Sequence, residues 1–237
     1  MEKIKAVVLH SIKIQITDFF IVLKALKNND TVKIERDMEA KLSKGNRLLK
    51  RTMDIIIAVL LLIITSPLFI LLFLLIPITS KGPAFYFQER LGENKEAFKI
   101  IKFRTMVTDA EQKTGPVLAK KNDPRVTKVG HFIRAVRIDE LPQLINVLLG
   151  NMSLVGPRPE RAFFVNQFKD RLPKYEQRMN VKPGITGLAQ VMGDYYTAPK
   201  DKLKYDLIYI KKYSIWFDFK ILLKTLLVVL PFQVKKG

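Results

Sequence analysis

The sequence predicts a mostly helical α+β fold, in which a re-entrant membrane helix hairpin is attached to a small domain with interfacial amphipathic helices. Residues 55–78 are almost wholly apolar and predict the membrane helix. Residues 84–87 and 98–103 have the composition of two short strands around a Gly-Glu-Asn turn. Apolar residues at helical spacing recur in much of the remaining chain. The predicted divisions are an N-terminal amphipathic appendage at 1–46, the membrane helix at 47–81, and a main domain at 82–237 that ends in interfacial helices.

The composition combines strong positive charge with high apolar content. The 237 residues include 41 Lys and Arg against 22 Asp and Glu, a formal net charge of +19, and 48% are hydrophobic. Such a charge requires an anionic partner, which is nucleic acid, a phospholipid surface or a multiply charged phosphate compound. The chain has no cysteine, so disulfides, thiolate zinc sites and a cysteine nucleophile are excluded.

The apolar segment is long enough to cross a bilayer. Between Thr52 and Ser80 the only charged residue is Asp54. As a straight helix, residues 55–78 reach about 36 Å, more than the roughly 30 Å of a hydrocarbon core. A single membrane span is therefore one interpretation of this segment.

Two features favour a helix that enters the membrane, bends and returns to the same face. Ser66 and Pro67 lie in the middle of the segment, where proline kinks or breaks a helix and a preceding serine can bond the carbonyls that this leaves free. A span carries its basic residues mainly on one side, yet here both flanks are basic. These residues are Lys44, Arg47, Lys50 and Arg51 before the segment and Lys81, Arg90 and Lys95 after it. We therefore expect a re-entrant hairpin with its break at Ser66-Pro67, and a kinked span is the alternative.

The two ends of the chain have amphipathic patterns. In residues 1–46 apolar residues recur at roughly helical spacing with lysines between them, which indicates a helix packed on the main domain or lying on the membrane. Residues 201–230 are amphipathic and then apolar, with Trp216, Phe217 and Phe219 in the middle. Aromatic residues beside lysines suit a membrane interface, and a helix packed in the core is the alternative.

The most suggestive segment for chemistry contains two adjacent acids, Asp139 and Glu140. Pro142 fits the first turn of a helix, so the acids lie at or just before a helix N-terminus. Acids in that position commonly cap free amides, which is the structural interpretation. Because Arg134 and Arg137 precede them, the same helix end also suits a phosphate group. A carboxylate there, beside a divalent cation, could attack phosphorus and form an acyl phosphate.

Further cations are candidates for phosphate binding. In the segment 156–159, two prolines stiffen the backbone around Arg158 and orient a guanidinium that can bind phosphate in bidentate fashion; a rigid turn with a solvated arginine is the alternative. Lys102 and Arg104 lie on the same face of the second predicted strand, where a surface ion pair is the alternative. Neither histidine has a metal-ligating partner at a usable spacing, and the sequence contains no P-loop and no nucleophile elbow.

Many short motifs follow one another between residues 47 and 230. They are Lys50-Arg51-x-x-Asp54, Ser66-Pro67, Gly82-Pro83, Gln88-x-Arg90-x-Gly92, Lys102-Phe103-Arg104-Thr105-Met106, Asp123-Pro124-Arg125-x-Thr127, Arg134, Asp139-Glu140-Leu141-Pro142-Gln143, Asn146-Val147-Leu148, Met152-Ser153-Leu154-Val155-Gly156-Pro157-Arg158-Pro159, Pro183-Gly184-Ile185-Thr186-Gly187-x-Ala189-Gln190-Val191 and Asp218. In this order they resemble the monotopic polyprenol-phosphate phosphoglycosyl transferases, also called bacterial sugar transferases. The string from Asp139 to Pro159 is long and specific.

The resemblance implies an activity and a catalytic pair. A sugar phosphate is expected to pass from a UDP-sugar to polyprenyl (undecaprenyl) phosphate at the start of capsule, exopolysaccharide or related glycan assembly. Asp139 is expected to attack the β-phosphate, release UMP and hold the phosphosugar covalently, with Mg²⁺ bound beside it. Glu140 is expected to complete the catalytic dyad in a catalytic domain at 82–237.

The resemblance also implies the binding residues and the location. The expected substrate-binding residues are Lys102, Arg104, Arg134, Arg137, Pro157, Arg158 and Pro159, of which the last three hold the nucleotide. The expected location is the cytoplasmic face of the bacterial inner membrane, with anionic lipids as partners and no nucleic acid. Homo-oligomerisation is left open.

The sequence departs from the family pattern at two places. Asn151 replaces a usual acid, and Asp194 follows Gly193 where the family commonly has arginine. These departures leave the donor sugar open but not the reaction. Two other functions are alternatives. The protein could be a membrane-anchored basic protein that binds nucleic acid, or a non-catalytic scaffold of a polysaccharide assembly complex.

Overall fold

The computed structural model describes residues 43–112, 115, 117, 123–193 and 197–229. These residues form the mostly helical α+β fold that the sequence predicts. The appendage predicted at 1–46 lies outside them except for its last four residues, and so does Asp194.

The longest element is helix α1, Lys44–Thr79. The Ser43 hydroxyl accepts a hydrogen bond from the Asn46 amide and caps its first turn. By length and composition α1 could cross a membrane. Many of its apolar side chains are exposed, including Ile56, Leu60, Ile63, Ile64, Leu71 and Leu74.

The helix continues through Pro67, which differs from the predicted break. Pro67 has no amide proton, so the carbonyl of Ile63, four residues earlier, loses its usual donor. The Ser66 hydroxyl donates to that carbonyl at 2.8 Å, as expected for a serine before proline. α1 is therefore one continuous helix across Ser66-Pro67. That the helix returns to the membrane face at which it began stays a prediction.

Both ends of α1 contact the main domain. Near its start, Lys50, Arg51 and Asp54 bond to that domain. In its second half, Leu72 and Ile76 are buried in a core cluster with Ala84, Phe103 and Ile133. Between these contacts, from Val59 to Ile64, most side chains are exposed.

A two-stranded hairpin connects α1 to the rest of the domain. Strands β1, Phe85–Leu91, and β2, Ala97–Phe103, are antiparallel, as predicted, although β1 extends four residues beyond the apolar segment. Phe85 pairs with Phe103, and this face packs on Phe69 of α1. Tyr86 pairs with Lys102, and the alternation of strand side chains places this pair on the opposite face. One face of the hairpin thus covers α1, and the other presents Lys102.

The remaining elements surround a small parallel strand pair. They are α2, Lys128–Ala135; α3, Gln143–Leu149; β3, Ser153–Val155; α4, Ala162–Lys169; β4, Gly184–Thr186; α5, Leu188–Met192; α6, Pro199–Lys211; and α7, Ile215–Val229. β3 and β4 pair in parallel. A Cβ at Gly156 would lie 2.3 Å from the Lys182 carbonyl oxygen, so only glycine permits this close approach.

The last helix has two different faces. Asp218 and Ile221 of α7 are buried, whereas Trp216, Leu226 and Leu227 are exposed. One face of α7 is thus buried in the domain, and the other exposes apolar side chains. The amphipathic character of this helix and its placement at a membrane interface stay predictions.

Candidate active site

The acidic pair lies on a tight connection between α2 and α3. Ile138–Glu140 form a single 3₁₀ turn, and Arg137 before it has a left-handed backbone with φ of 57°. α3 begins immediately afterwards, as the sequence predicted, and ends at Gly150, whose φ is 90°. The turn directs Glu140 toward the hairpin, where its carboxylate meets Lys102.

Two cations bind the Glu140 carboxylate. Lys102 Nζ lies 3.1 Å from Oε1. Arg158 donates through both terminal nitrogens, Nη1 to Oε2 at 3.1 Å and Nη2 to Oε1. Burial by itself raises the pKa of Glu140, but the charges and hydrogen bonds of Arg158 and Lys102 outweigh burial and hold it below its ordinary value. Glu140 is therefore a fixed anion at neutral pH.

Asp139 has a different environment. Its side chain is half-buried, and no donor in the described part of the chain bonds to its carboxylate. Burial and then the charge of Glu140 raise its pKa, while Lys102, Arg134 and Arg158 lower it in part. Because none of the described residues bonds to its oxygens, Asp139 is the carboxylate of the pair that is free to react or to bind a cation.

Two further predicted binding residues, Arg134 and Arg137, differ in how they relate to the acids. The Arg134 Nε donates to the Thr105 hydroxyl at 2.8 Å, and its charge acts on Asp139. Arg137 is exposed, and no described hydrogen bond joins its side chain to the acids.

Arg104 is placed differently from the prediction. It is buried, and its guanidinium donates to the carbonyls of Ser80, Gly82 and Pro83 and to the Ser80 hydroxyl. Since β2 ends at Phe103, Arg104 does not share the strand face of Lys102. Its interactions stabilise the connection after α1 and leave it away from the acids.

Each carbonyl of the segment 157–160, which contains Arg158, accepts a hydrogen bond from a residue distant in sequence. The Gly184 amide donates to Pro157 at 2.9 Å, Arg178 Nη2 to Arg158 at 2.9 Å, Arg90 Nη1 to Pro159 at 3.4 Å, and the Leu91 amide to Glu160 at 2.9 Å. The predicted stiffness of this segment therefore comes from these donors as well as from its prolines.

Two residues that organise the site were given no role from the sequence. Arg178 is one, and no local pattern connects it to a segment 20 residues earlier. Asn146 is the other: it accepts from the Ile101 amide at 2.9 Å and donates to the Lys99 carbonyl at 2.8 Å, which ties α3 to β2. A polar side chain in the apolar helix 143–149 is the signal that could have indicated Asn146.

The carboxylates of the site suit Mg²⁺ only if substrate phosphates supply further ligands. Among the described residues, no group of three or more His, Asp or Glu side chains is close enough to hold a metal. Glu140 is occupied by its cations, which leaves the Asp139 carboxylate. Mg²⁺ is commonly bound by one or two carboxylates together with waters and substrate phosphates, so Asp139 fits that kind of site.

The fold and the site define a class: a protein with a helix long and apolar enough to cross a membrane, and with a carboxylate that lies among cations suited to phosphate groups. The chain belongs to the bacterial sugar transferase family, because residues 45–231 match the family model described as "Bacterial sugar transferase". The match includes α1, the hairpin, the acidic pair and the Arg158 segment.

Relatives agree with this membership. The chain is 45% identical over 185 residues to a UDP-N-acetylgalactosamine-undecaprenyl-phosphate N-acetylgalactosaminephosphotransferase of Aeromonas hydrophila, covering 77% of this chain and 44% of the relative. It is 41% identical over 212 residues to a UDP-glucose:undecaprenyl-phosphate glucose-1-phosphate transferase of Escherichia coli, covering 87% and 46%. An enzyme of the same name from Caulobacter vibrioides is 42% identical over 183 residues, covering 74% and 67%. The chain thus spans a little under half the length of the first two relatives.

Proposed function

We propose that the protein transfers a sugar 1-phosphate from a UDP-sugar to undecaprenyl phosphate. The observation that carries this proposal is the pair of neighbouring acids with opposite environments: Glu140 is held by Lys102 and Arg158, and Asp139 accepts no hydrogen bond from the described residues. The names of the relatives supply the donor and acceptor classes. Because those names differ in the sugar, the proposal extends to a UDP-sugar and no further.

The transfer takes place in two displacements at one phosphorus atom. In the first, an Asp139 oxygen attacks the β-phosphorus, the bond from that phosphorus to the oxygen bridging it to the α-phosphorus breaks, and UMP leaves with that oxygen. In the second, an oxygen of the lipid phosphate attacks the same phosphorus, and the acyl phosphate bond breaks. Asp139 is restored, and the product is the lipid diphosphate sugar.

The other residues bind and orient the phosphates. Arg158 and Lys102 carry positive charge at the site, and Glu140 keeps both in place. Arg134 adds a third cation near Asp139. Mg²⁺, when bound at Asp139, supplies Lewis-acid neutralisation of the phosphate charge. The Asp139 carboxylate must be ionised to attack, and these cations favour that state against its burial.

The proposed location is the cytoplasmic face of the inner membrane, with α1 returning to the side that it entered. Contacts from both ends of α1 to the same domain support this path, because a helix that crossed the bilayer would separate its ends. The formal charge of +19 suits anionic lipids. Single cysteines at Lys44 and Lys81, labelled from one side of sealed vesicles, are expected to react together; labelling from opposite sides would refute the return.

The activity is tested by UMP release. Purified protein is incubated with Mg²⁺, undecaprenyl phosphate and, in separate reactions, UDP-glucose, UDP-galactose or UDP-N-acetylgalactosamine. We expect UMP from at least one donor, and loss of release when the metal is chelated. Release of free sugar phosphate without lipid product, or no turnover with a broad panel of UDP-sugars, would overturn the proposal.

A further inference from the structure

Arg178 contacts the backbone of the residue that binds Glu140. It lies on a 3₁₀ turn, Tyr175–Met179, and only 8% of its surface is exposed. Its Nη2 donates to the Arg158 carbonyl at 2.9 Å. The side chain of Arg158 extends from this held carbonyl to the Glu140 carboxylate. The backbone position of Arg158 is thus determined in part by a buried guanidinium.

The guanidinium of Arg178 is itself held by two further residues. Asp206 Oδ2 lies 3.1 Å from its Nε and 2.8 Å from its Nη2. Nη1 donates to the Tyr175 hydroxyl at 2.8 Å. Asp206 belongs to α6 and is 1% exposed, so the pair is enclosed in the protein. A planar guanidinium with several directed hydrogen bonds has little freedom to move, and lysine cannot reproduce this geometry.

We propose that Arg178, held by Asp206, is a positioning residue that places Arg158 for its contact with Glu140 and with phosphate. This inference rests on the proposed function, because Arg158 acts on phosphate there. It extends the site to α6, whose Asp206 forms no hydrogen bond or ion pair with Asp139, Glu140, Lys102 or Arg158 in the described part of the chain. A purely structural Arg178 would stabilise the domain without depending on the Arg158 side chain.

A double-mutant cycle separates these two roles. Arg178→Lys is expected to lower kcat/KM for UMP release by about 100-fold, since small displacements of a positioned group have effects of that order. In an Arg158→Met background, where the positioned side chain is gone, the same change is expected to lower kcat/KM by less than about threefold. Melting temperatures of all four proteins show that each is folded.

Arg104→Lys is the matched control. Arg104 is also a buried arginine that donates to backbone carbonyls, but those carbonyls belong to Ser80, Gly82 and Pro83. Its effect is expected to be the same with and without the Arg158 side chain. If Arg178→Lys does not yield folded protein, Asp206→Asn is used in the same cycle, because it removes the charge that holds Arg178.

The outcomes distinguish this inference from the proposed function. An Arg178→Lys effect that is equal in both backgrounds, or a folded variant with unchanged kcat/KM, overturns the positioning role. If the wild-type protein releases no UMP from a UDP-sugar, the proposed function fails. The affinity for UDP, measured by calorimetry on the same four proteins, then decides the positioning role: coupling between the two substitutions supports it, and independence refutes it.

Discussion

Two clusters of charged side chains differ in how completely their carboxylates are hydrogen-bonded. In the first, near the start of α1, Lys50 Nζ lies 2.5 Å from Asp218 Oδ2 and 3.9 Å from Asp54 Oδ2. The Leu154 amide donates to Asp54 at 3.1 Å, and the Tyr209 hydroxyl donates to Asp218 at 2.7 Å. We call Lys50, Asp54 and Asp218 the anchor cluster. Each of its two carboxylates has a hydrogen-bond donor.

The second cluster, around the acidic pair, leaves one carboxylate without a donor. Glu140 is bonded by Lys102 and Arg158, but no described residue donates to Asp139. Burial and charge are common to both clusters, whereas incomplete hydrogen bonding is found at the candidate active site. A satisfied cluster stabilises the fold, and an unsatisfied carboxylate retains the capacity to react.

Asp139→Asn is expected to have the largest effect. UMP release should fall by at least about 10⁴-fold, because the amide cannot attack phosphorus. The melting temperature should stay the same or rise, since the change removes a carboxylate whose ionisation is opposed by burial and by Glu140. Assays of UMP release and thermal unfolding check both parts. A fully active variant would exclude Asp139 as nucleophile.

Lys50→Met is expected to have the largest effect on stability. It leaves two buried carboxylates in the anchor cluster without their cation, and breaking a buried pair in this way costs about 3–5 kcal/mol. Denaturation in detergent, compared with the exposed Lys44→Met, measures the difference. Equal stability of the two variants would contradict the supporting role of the anchor cluster.

Lys102→Met is expected to lower kcat/KM by about 10- to 100-fold, because Glu140 loses one of its two cations and the site loses a phosphate-binding charge. Lys99→Met is the matched control on the same strand: its side chain is exposed and pairs across from Glu89 on the other face. Steady-state kinetics of both variants should separate them by at least about fivefold. Similar losses of kcat/KM in both variants would show that the positive charge of the strand matters and that the contact of Lys102 with Glu140 does not.

The pH dependence is expected to show the smallest effect. The reactive form of Asp139 is the carboxylate, and its pKa is raised by burial and by Glu140, so activity should fall as the pH drops through that raised pKa. Glu140 has a lowered pKa and stays ionised over this range. In Glu140→Gln the negative charge next to Asp139 is gone, and Lys102 and Arg158 are no longer paired with it. Both changes lower the pKa of Asp139, so the acidic limb of the kcat/KM profile should move to lower pH. A kcat/KM profile of each protein tests the shift, and an unmoved limb would contradict the coupling of the two acids.

Some of the site could be predicted because its signals are contained in a few consecutive residues. Pro142 after two acids predicted the start of α3. Ser66 before Pro67 predicted the hydroxyl-to-carbonyl bond, although not that the helix would continue. The hairpin was predicted from two apolar segments, but its length depended on pairing of polar residues across the strands.

Partners distant in the chain could not be predicted. Arg104 and Arg158 are both arginines beside apolar segments, and the sequence assigned both to substrate. In the structure, Arg104 donates to carbonyls that follow α1, and Arg158 binds Glu140. A guanidinium binds whatever acceptors the packing brings within reach, and the local sequence does not specify them.

By itself, the sequence determined the apolar helix, the hairpin, the short helix after the acidic pair and the family, because each depends on contiguous residues or on their order. The tertiary structure decided which acid is held and which is free. Lys102 from β2 and Arg158 from the segment after β3 both meet Glu140, and Asp139 is left without a donor. The physical reason is that hydrogen bonds require approach to about 3 Å, and only the packing of elements that are distant in sequence brings those side chains so close.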